Sequence, residues 1–397
     1  MIATSSTPSA QRLTRGTIFA HIDFVITGVV MTFLGPMLPI LSARWALNDA
    51  QSGNLFLAQY ISSIGGMLGS GIFVRRLGYR LTLIIGATLM AVGTALLAGA
   101  DRYLGLAAIC IYGAGFGVTT PACNLFVSDA MPEKRASALS LLNSSWGVGA
   151  MSCPLIIAAV QRVHQTTAFF YALAAGMAVL AFTLGMFRFA ADERRHAEPS
   201  RQSSVQPWNP TLTVFVGLAF FIYVGTETAV GGWVATYAQR ISPESVSMWA
   251  MMPTFFYGTV LLGRMLAPVV LRTVRETSLA AGGAAVAAAG VIVLLASHSM
   301  AMIILGTSLC GLGLSAIYPI KVSLLPRWFG DRVTQIGGFM FAIGNLGGGA
   351  IAWLVGALST RFSDLRVGFV VPLLGAASLL AFYSAQGRIP NQGFRKT

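Results

Sequence analysis

Residues 80–100 read RLTLIIGATLMAVGTALLAGA, and this stretch decides the class of fold. After Arg80 it contains no charged side chain and is rich in leucine, isoleucine and alanine. An α-helix needs about 20 mostly apolar residues to cross the hydrocarbon core of a bilayer, which is the length of this run. The stretch therefore predicts a transmembrane helix.

Similar apolar runs occur along the whole chain. They predict helices at 17–41, 51–74, 80–100, 103–129, 137–161, 166–190, 209–238, 246–271, 277–297, 299–326, 333–360 and 366–386. The composition agrees with a membrane location, because 55% of the 397 residues are apolar and only 10% are charged, whereas soluble domains carry about 25% charged residues. We predict an all-α membrane protein with twelve transmembrane helices.

The net charge of +13 is explained by the loops. In a soluble protein such a charge would indicate nucleic acid, but here lysine and arginine cluster in short segments between apolar runs. With a cytoplasmic N-terminus, the cytoplasmic side collects about three times as many of them as the opposite side, as the positive-inside rule requires. We predict cytoplasmic N and C termini in the cell (inner) membrane, and no nucleic-acid partner.

An internal repeat predicts two halves. Residues 113–121 (GAGFGVTTP) and 311–319 (GLGLSAIYP) share two glycines and a proline at an offset of 198, which is half the chain length. Halves with six spans each have parallel topology. The predicted organisation is an N-terminal tail, a six-helix bundle, a cytoplasmic linker, a second six-helix bundle and a C-terminal tail: 1–16, 17–190, 191–208, 209–386 and 387–397.

The loop after the second predicted helix, residues 71–80, reads GIFVRRLGYR. It resembles the G-x-x-x-D-R-x-G-R-R signature of the major facilitator superfamily, whose members are transporters with 6+6 helices. The resemblance implies a pseudo-symmetric fold and a gating role for the loop. Arg75 stands where the family has an acidic residue, so the gating contact of this loop is expected to differ. The gating candidates are Gly71, Arg75, Arg76, Gly78 and Arg80.

A narrower resemblance concerns residues 223–237 (YVGTETAVGGWVATY), together with Gly263-Arg264 and 317–319 (IYP). They look like the fucose/glucose proton-symporter branch of that superfamily. This resemblance implies secondary active, proton-coupled symport of a monosaccharide by alternating access. The alternative is an exporter of drugs or organic anions. An enzyme is not expected, because the loops are short and no nucleophile motif is present.

Two carboxylates lie well inside predicted spans, Asp23 and Glu227. A charged group at mid-bilayer costs about 2.5–3.5 kcal/mol on insertion scales and normally faces a cavity or a partner. Because burial disfavours the ionised form of a carboxyl group, either residue is a candidate for proton coupling. The alternatives are hydration of Asp23 or its pairing with His21, and a buried helix–helix hydrogen bond for Glu227.

Cations and polar residues within the spans complete the candidate site. Three roles are considered for Lys321: a counter-ion of Glu227 or Asp23, a group that binds an anionic substrate, or a side chain that snorkels to the cytoplasmic face. Arg264 is expected to be architectural, and Trp233 either contacts sugar or anchors a helix end at the interface. The predicted substrate-binding residues are Gln59, Asn124, Asn143, Trp146, Tyr223, Glu227, Tyr257, Lys321 and Asn345.

Metal and redox chemistry are not expected. The four cysteines lie inside apolar runs and the four histidines are scattered, so neither type has the spacing of metal ligands. We predict no metal and no cofactor. The predicted partners are a small-molecule substrate (a sugar), protons and the lipid bilayer, and the chain is expected to be a monomer.

Overall fold

The computed structural model describes residues 8–163, 165–186, 210–330 and 333–388, and the long elements in these ranges are α-helices. Up to residue 186 the helices are α1 (Pro8–Thr32), α2 (Leu34–Arg44), α3 (Asp49–Leu97), α4 (Arg102–Ala130), α5 (Arg135–Arg162) and α6 (Thr166–Met186). From residue 210 they are α7 (Pro210–Ile241), α8 (Val246–Val270), α9 (Glu276–Leu295), α10 (Met300–Ser315), α11 (Ile317–Phe329), α12 (Val333–Phe362), α13 (Leu365–Gly368) and α14 (Val370–Arg388).

Helix α3 contains two transmembrane spans. Its 49 residues would extend about 74 Å as one straight helix, more than twice the thickness of the hydrocarbon core. The helical path breaks at Gly78, where φ is 80° and ψ is 173°. A positive φ is strained for a residue with a Cβ atom, so glycine permits this sharp break between the spans. The break lies inside the loop that was identified in the sequence.

The span count agrees with the sequence. Among the described residues, ten helices are long and apolar enough to cross a membrane. The pair α1 and α2, bent by 40°, forms an eleventh span. Counting α3 as two spans gives twelve, so the predicted all-α fold with twelve transmembrane helices is confirmed.

The helix ends differ from the predicted ends in places. The first helix begins at Pro8 rather than at residue 17, and its span is interrupted at Phe33. The last helix extends to Arg388. The predicted linker 191–208, the tail before Pro8 and the tail after Arg388 lie outside the described residues.

The contacts divide the chain into two compact units. Unit 1 comprises the described residues of Met1–Leu34 and Ala58–Gln202, and unit 2 those of Gly35–Leu57 and Ser203–Thr397. The grouping of Gly35–Leu57 with unit 2 differs from a division into six consecutive helices each. The predicted six-helix boundaries therefore stay a prediction.

Each unit has an aromatic core. In unit 1 the ring of Phe33 packs against Tyr112, with centroids 5.1 Å apart, and edge-on against Phe170 at 5.8 Å. In unit 2 Phe220 and Phe329 pack with aliphatic neighbours in one buried cluster. Tilted and edge-to-face ring pairs of this kind add to the stabilisation that comes from apolar burial.

Candidate functional site

Asp23 lies in the core of unit 1. Its side chain is 1% exposed, and the Cys123 thiol on α4 donates a hydrogen bond of 3.0 Å to Oδ2. Within the described part of the chain, Oδ1 has no hydrogen-bond partner. A buried carboxyl group whose one partner is a weak, neutral donor is favourably placed to carry a proton.

The two alternatives considered for Asp23 do not fit its surroundings. Because its side chain is 1% exposed, bulk water does not reach the carboxyl group in this conformation. His21 shares a hydrogen bond of 2.8 Å with Ser145 Oγ, and so has a different partner. The sequence did not suggest Cys123 as the partner, because 100 residues separate it from Asp23.

Gln59 is a predicted sugar-binding residue whose amide group is already engaged. It is 1% exposed, and Nε2 donates to the Met31 carbonyl oxygen at 3.0 Å. The Tyr112 hydroxyl donates to Oε1 at 2.7 Å. These bonds give Gln59 a structural role in holding α3 against its neighbours in unit 1.

The other candidates of unit 1 lie on α4 and α5. Asn124 is half-buried and Asn143 is exposed. Each donates through Nδ2 to the carbonyl oxygen four residues earlier in its helix, at 2.8 Å. These bonds leave the amide oxygens available to accept hydrogen bonds. Trp146 is half-buried, and its backbone lies against Gly28 of α1.

Glu227 forms an ion pair in unit 2. Its Oε1 lies 3.6 Å from Nη2 of Arg264 on α8, and the side chains are 16% and 21% exposed. This separation permits electrostatic attraction but is too long for a hydrogen bond. Both groups therefore retain capacity to bind a polar ligand. The expectation that Arg264 is only architectural did not foresee this pair, although Arg264 is one of the few cations within a span.

Lys321 is enclosed by aromatic rings in the same unit. Its side chain is fully buried, and Nζ lies 3.8 Å from the ring centroid of Phe220 and 4.2 Å from that of Tyr223. Tyr318 lies on the third side, at 5.5 Å. Within the described residues Nζ has no hydrogen-bond partner. Snorkelling is excluded in this conformation, because the ammonium group does not reach the surface.

Tyr318 joins the two groups of charges into one cluster. Its ring lies 5.8 Å from that of Tyr223 and 5.7 Å from the guanidinium carbon of Arg264. We call the set of Tyr223, Glu227, Arg264, Tyr318 and Lys321 the unit 2 cluster. Cations over ring faces are stabilised by cation–π attraction, most strongly where water is excluded.

Two further candidates lie elsewhere in unit 2. Tyr257 is half-buried, with its hydroxyl close to Gly231 of α7. Asn345 is half-buried on α12 and donates to the Phe341 carbonyl oxygen at 2.9 Å. Trp233 is fully buried and donates to the Ala352 carbonyl oxygen at 2.8 Å, so the alternative that it anchors a helix end at the interface is wrong.

The predicted gating loop is anchored by Arg80. Its Nε donates to the Leu184 carbonyl oxygen at 3.0 Å, and Nη2 donates to that of Gly185, near the end of α6. Gly71, Arg75 and Arg76 are exposed.

The described residues contain no group of three histidine, cysteine or acidic side chains that could hold a metal ion. The four cysteines are free thiols, and all but Cys110 are buried. Of the groups described above, carboxyl groups can bind protons, carboxylates and cations can form ion pairs, and hydroxyl and amide groups can form hydrogen bonds.

Comparisons with known proteins agree on one family. The family model described as Major Facilitator Superfamily matches residues 24–241. A glucose/galactose transporter of Brucella abortus (strain 2308) is 26% identical over 392 residues, which cover 92% of each chain. The L-fucose-proton symporter of Escherichia coli (strain K12) is 23% identical over 391 residues, or 87% of each chain. The crystal structure of the transporter FucP in the outward conformation matches with a TM-score of 0.64 at 20% identity, over 95% of this chain and 100% of that one.

Proposed function

Because the chain belongs to the Major Facilitator Superfamily, we propose that it carries a monosaccharide across a membrane together with a proton. The family match, the twelve spans and the whole-length relatives named for sugar transport support this proposal. Because these relatives are a glucose/galactose transporter and an L-fucose-proton symporter, they do not favour the alternative of a drug or organic-anion exporter. The chain moves its substrate by alternating access and makes no chemical change to it.

Asp23 is the proton-binding residue in this proposal. The assignment rests on the environment of the carboxyl group. It is buried, it accepts one hydrogen bond from a thiol, and Oδ1 has no hydrogen-bond partner among the described residues. Among the described residues no cation forms an ion pair with it, so the carboxyl group is not held in the ionised form and can gain and lose a proton during the cycle. Glu227 differs, because Arg264 stabilises its ionised form.

Glu227 is the substrate-binding carboxylate. Its ion pair is too long for a hydrogen bond, so its oxygens remain available to sugar hydroxyls. Tyr223 and Tyr318 contribute ring faces and hydroxyls, which fits the general form of a mostly apolar site with a few placed polar groups. Asn124, Asn143, Trp146, Tyr257 and Asn345 remain proposed contributors, whereas Gln59 acts through helix packing.

The remaining features of the transporter are also proposals. The chain is a monomer in the lipid bilayer of the inner membrane, with both termini in the cytoplasm, as its loop charges favour. The two six-helix bundles comprise residues 17–190 and 209–386, and the cytoplasmic linker 191–208 joins them. The loop 71–80 takes part in gating, with Arg80 fixing it to α6.

The test is uptake by purified protein in liposomes. With the outside more acidic than the inside, a labelled monosaccharide should accumulate above its equilibrium concentration, and a protonophore should abolish the accumulation. Absence of accumulation for every monosaccharide tried, neutral or acidic, would refute the proposed function.

The variant Asp23→Asn tests the proton site. It should lose uphill accumulation but retain exchange of labelled for unlabelled sugar, because exchange needs no proton release. Glu227→Gln should weaken sugar binding in both assays, since it removes a carboxylate oxygen from the site. Uphill accumulation by Asp23→Asn at the wild-type level would remove Asp23 from this role.

A further inference from the structure

Lys321 keeps three hydrogen-bond donors unused in the unit 2 cluster. Its ammonium group contacts the faces of Phe220 and Tyr223, and in the described structure it has no hydrogen-bond partner. The rings stabilise the charge without using the N–H donors. A buried donor that lacks an acceptor is rare in folded proteins, and it indicates that a further group belongs beside it.

The charges of the cluster do not balance. Arg264 and Lys321 are two cations, and Glu227 is one carboxylate. Among the described residues the ion pair of Glu227 is with Arg264, and none joins it to Lys321. Because an isolated charge is expensive inside a bilayer, a second anion is needed whenever Lys321 is charged.

We propose that the substrate supplies this anion and is a monosaccharide that carries one carboxylate, a uronate or an aldonate. The inference rests on the proposed function and narrows its substrate class. The carboxylate accepts hydrogen bonds from the Lys321 ammonium, and the hydroxyls of the sugar bind Glu227 and Arg264. A charge-assisted bond of this kind is about twice as strong as a neutral one, so it selects acidic over neutral sugars.

Tyr318 controls access to the ammonium group. Phe220 and Tyr223 are fully buried, whereas Tyr318 is half-buried and borders the surface of unit 2. Its ring centroid lies 5.5 Å from Nζ, farther than the other two rings. Rotation of the Tyr318 side chain opens the aromatic enclosure on this side and admits the carboxylate.

The experiment measures binding to the purified, full-length protein by calorimetry at one pH. Each hexose is compared with its uronate, glucose with glucuronate and galactose with galacturonate. The preferred uronate should bind on the order of tenfold more tightly than its hexose. Sodium acetate, which has the carboxylate without the sugar, and glucose 6-phosphate, which has a dianion, should bind more weakly than the uronate.

Substitutions at Lys321 test whether this residue causes the preference for the uronate over the hexose. Lys321→Met should lower uronate affinity by a larger factor than hexose affinity and so abolish the preference, because one charged donor is lost. Lys321→Arg should keep the preference, since it keeps a cation. If Lys321→Met does not fold, the wild-type comparison and Lys321→Arg still decide the question.

Three results would overturn the inference. They are a hexose that binds as tightly as its uronate, an equal loss of both ligands in Lys321→Met, and tighter binding of the sugar phosphate. In these cases sugar transport itself stands, provided that one sugar still accumulates in liposomes. If neutral and acidic sugars both fail to bind and to accumulate, the proposed function fails as well.

Discussion

The thiol of Cys123 donates a hydrogen bond of 3.0 Å to Oδ2 of Asp23, joining α4 to α1 in the core of unit 1. Both side chains are buried. A thiol is uncharged and a weak donor, so it supports the ionised carboxylate only slightly. A site that binds and releases a proton in each cycle needs such a balance, because a strong cationic partner would prevent protonation.

Removal of this thiol should therefore affect both stability and coupled transport. Cys123→Ala removes this weak donor from the buried carboxyl group, which should cost about 0.5–1.5 kcal/mol of folding free energy and slow uphill uptake. Cys123→Ser keeps a hydroxyl donor and should retain most of both properties. Thermal melting and proton-driven uptake are the measurements, with Cys110→Ala, at a half-exposed thiol, as the control. Wild-type behaviour of Cys123→Ala in both assays would remove the hydrogen bond from the mechanism.

Helix packing predicts opposite effects at two adjacent glycines of α3. A Cβ atom at Gly66 would lie inside contact distance of the Ala114 carbonyl oxygen and 2.9 Å from the Val118 nitrogen, whereas one at Gly65 has no neighbour within 4 Å. Alanine favours a helix over glycine by about 0.5–1 kcal/mol, but overpacking costs about 1–3 kcal/mol.

Gly66→Ala should therefore lower the melting temperature in detergent, and Gly65→Ala should leave it unchanged or raise it slightly. Both variants add the same methyl group to the same helix, so their difference reports the contact with α4. Equal melting temperatures would show that α3 and α4 do not approach so closely at Gly66.

The transmembrane fold could be predicted from the sequence because hydropathy acts over whole spans. About 20 apolar residues in a row identify a helix regardless of which partners it meets. The break at Gly78 was also foreseeable, since it lies in a charged loop between two runs. The interruption at Phe33 was not predicted, although Pro36 follows it closely and lacks the N–H that would bond to the carbonyl oxygen of Thr32.

The sequence could predict which residues belong to the candidate site, but it could not predict which side chains they contact. Scarcity of charge inside the spans singles out Asp23, Glu227 and Lys321 without any structure. Their partners depend on distances between helices far apart in sequence, so neither Cys123 nor the aromatic enclosure of Lys321 was found. For Trp233 the sequence left sugar contact and interface anchoring both open, because nearness to a helix end gives no information on the helices packed around it.

The orientation in the membrane predicts which loops react from outside the cell. In a background without native cysteines, Glu244→Cys should react with a membrane-impermeant maleimide applied to intact cells. Thr273→Cys should react only after the membrane is permeabilised. Both positions are exposed in unit 2, so a difference in labelling reports the side of the membrane and not burial. The reverse pattern would invert the proposed topology.

Loss of Arg264 from its ion pair with Glu227 should destabilise the protein more than loss of a cation from a shorter pair at the surface. Arg264→Leu leaves a largely buried carboxylate without its partner, which should cost about 3–5 kcal/mol of folding free energy. Electrostatic attraction between Glu227 and Lys321 should offset part of this cost. The double variant with Glu227→Gln should recover part of this loss, because neither charge remains.

The control is Arg327→Leu, whose pair with Glu276 is 3.0 Å long but 62% and 30% exposed. Solvent screening limits that pair to less than about 1 kcal/mol. The measurement is the melting temperature in detergent of the wild type and the three variants. If Arg327→Leu lowers it as much as Arg264→Leu does, burial of a pair does not outweigh the distance between its atoms.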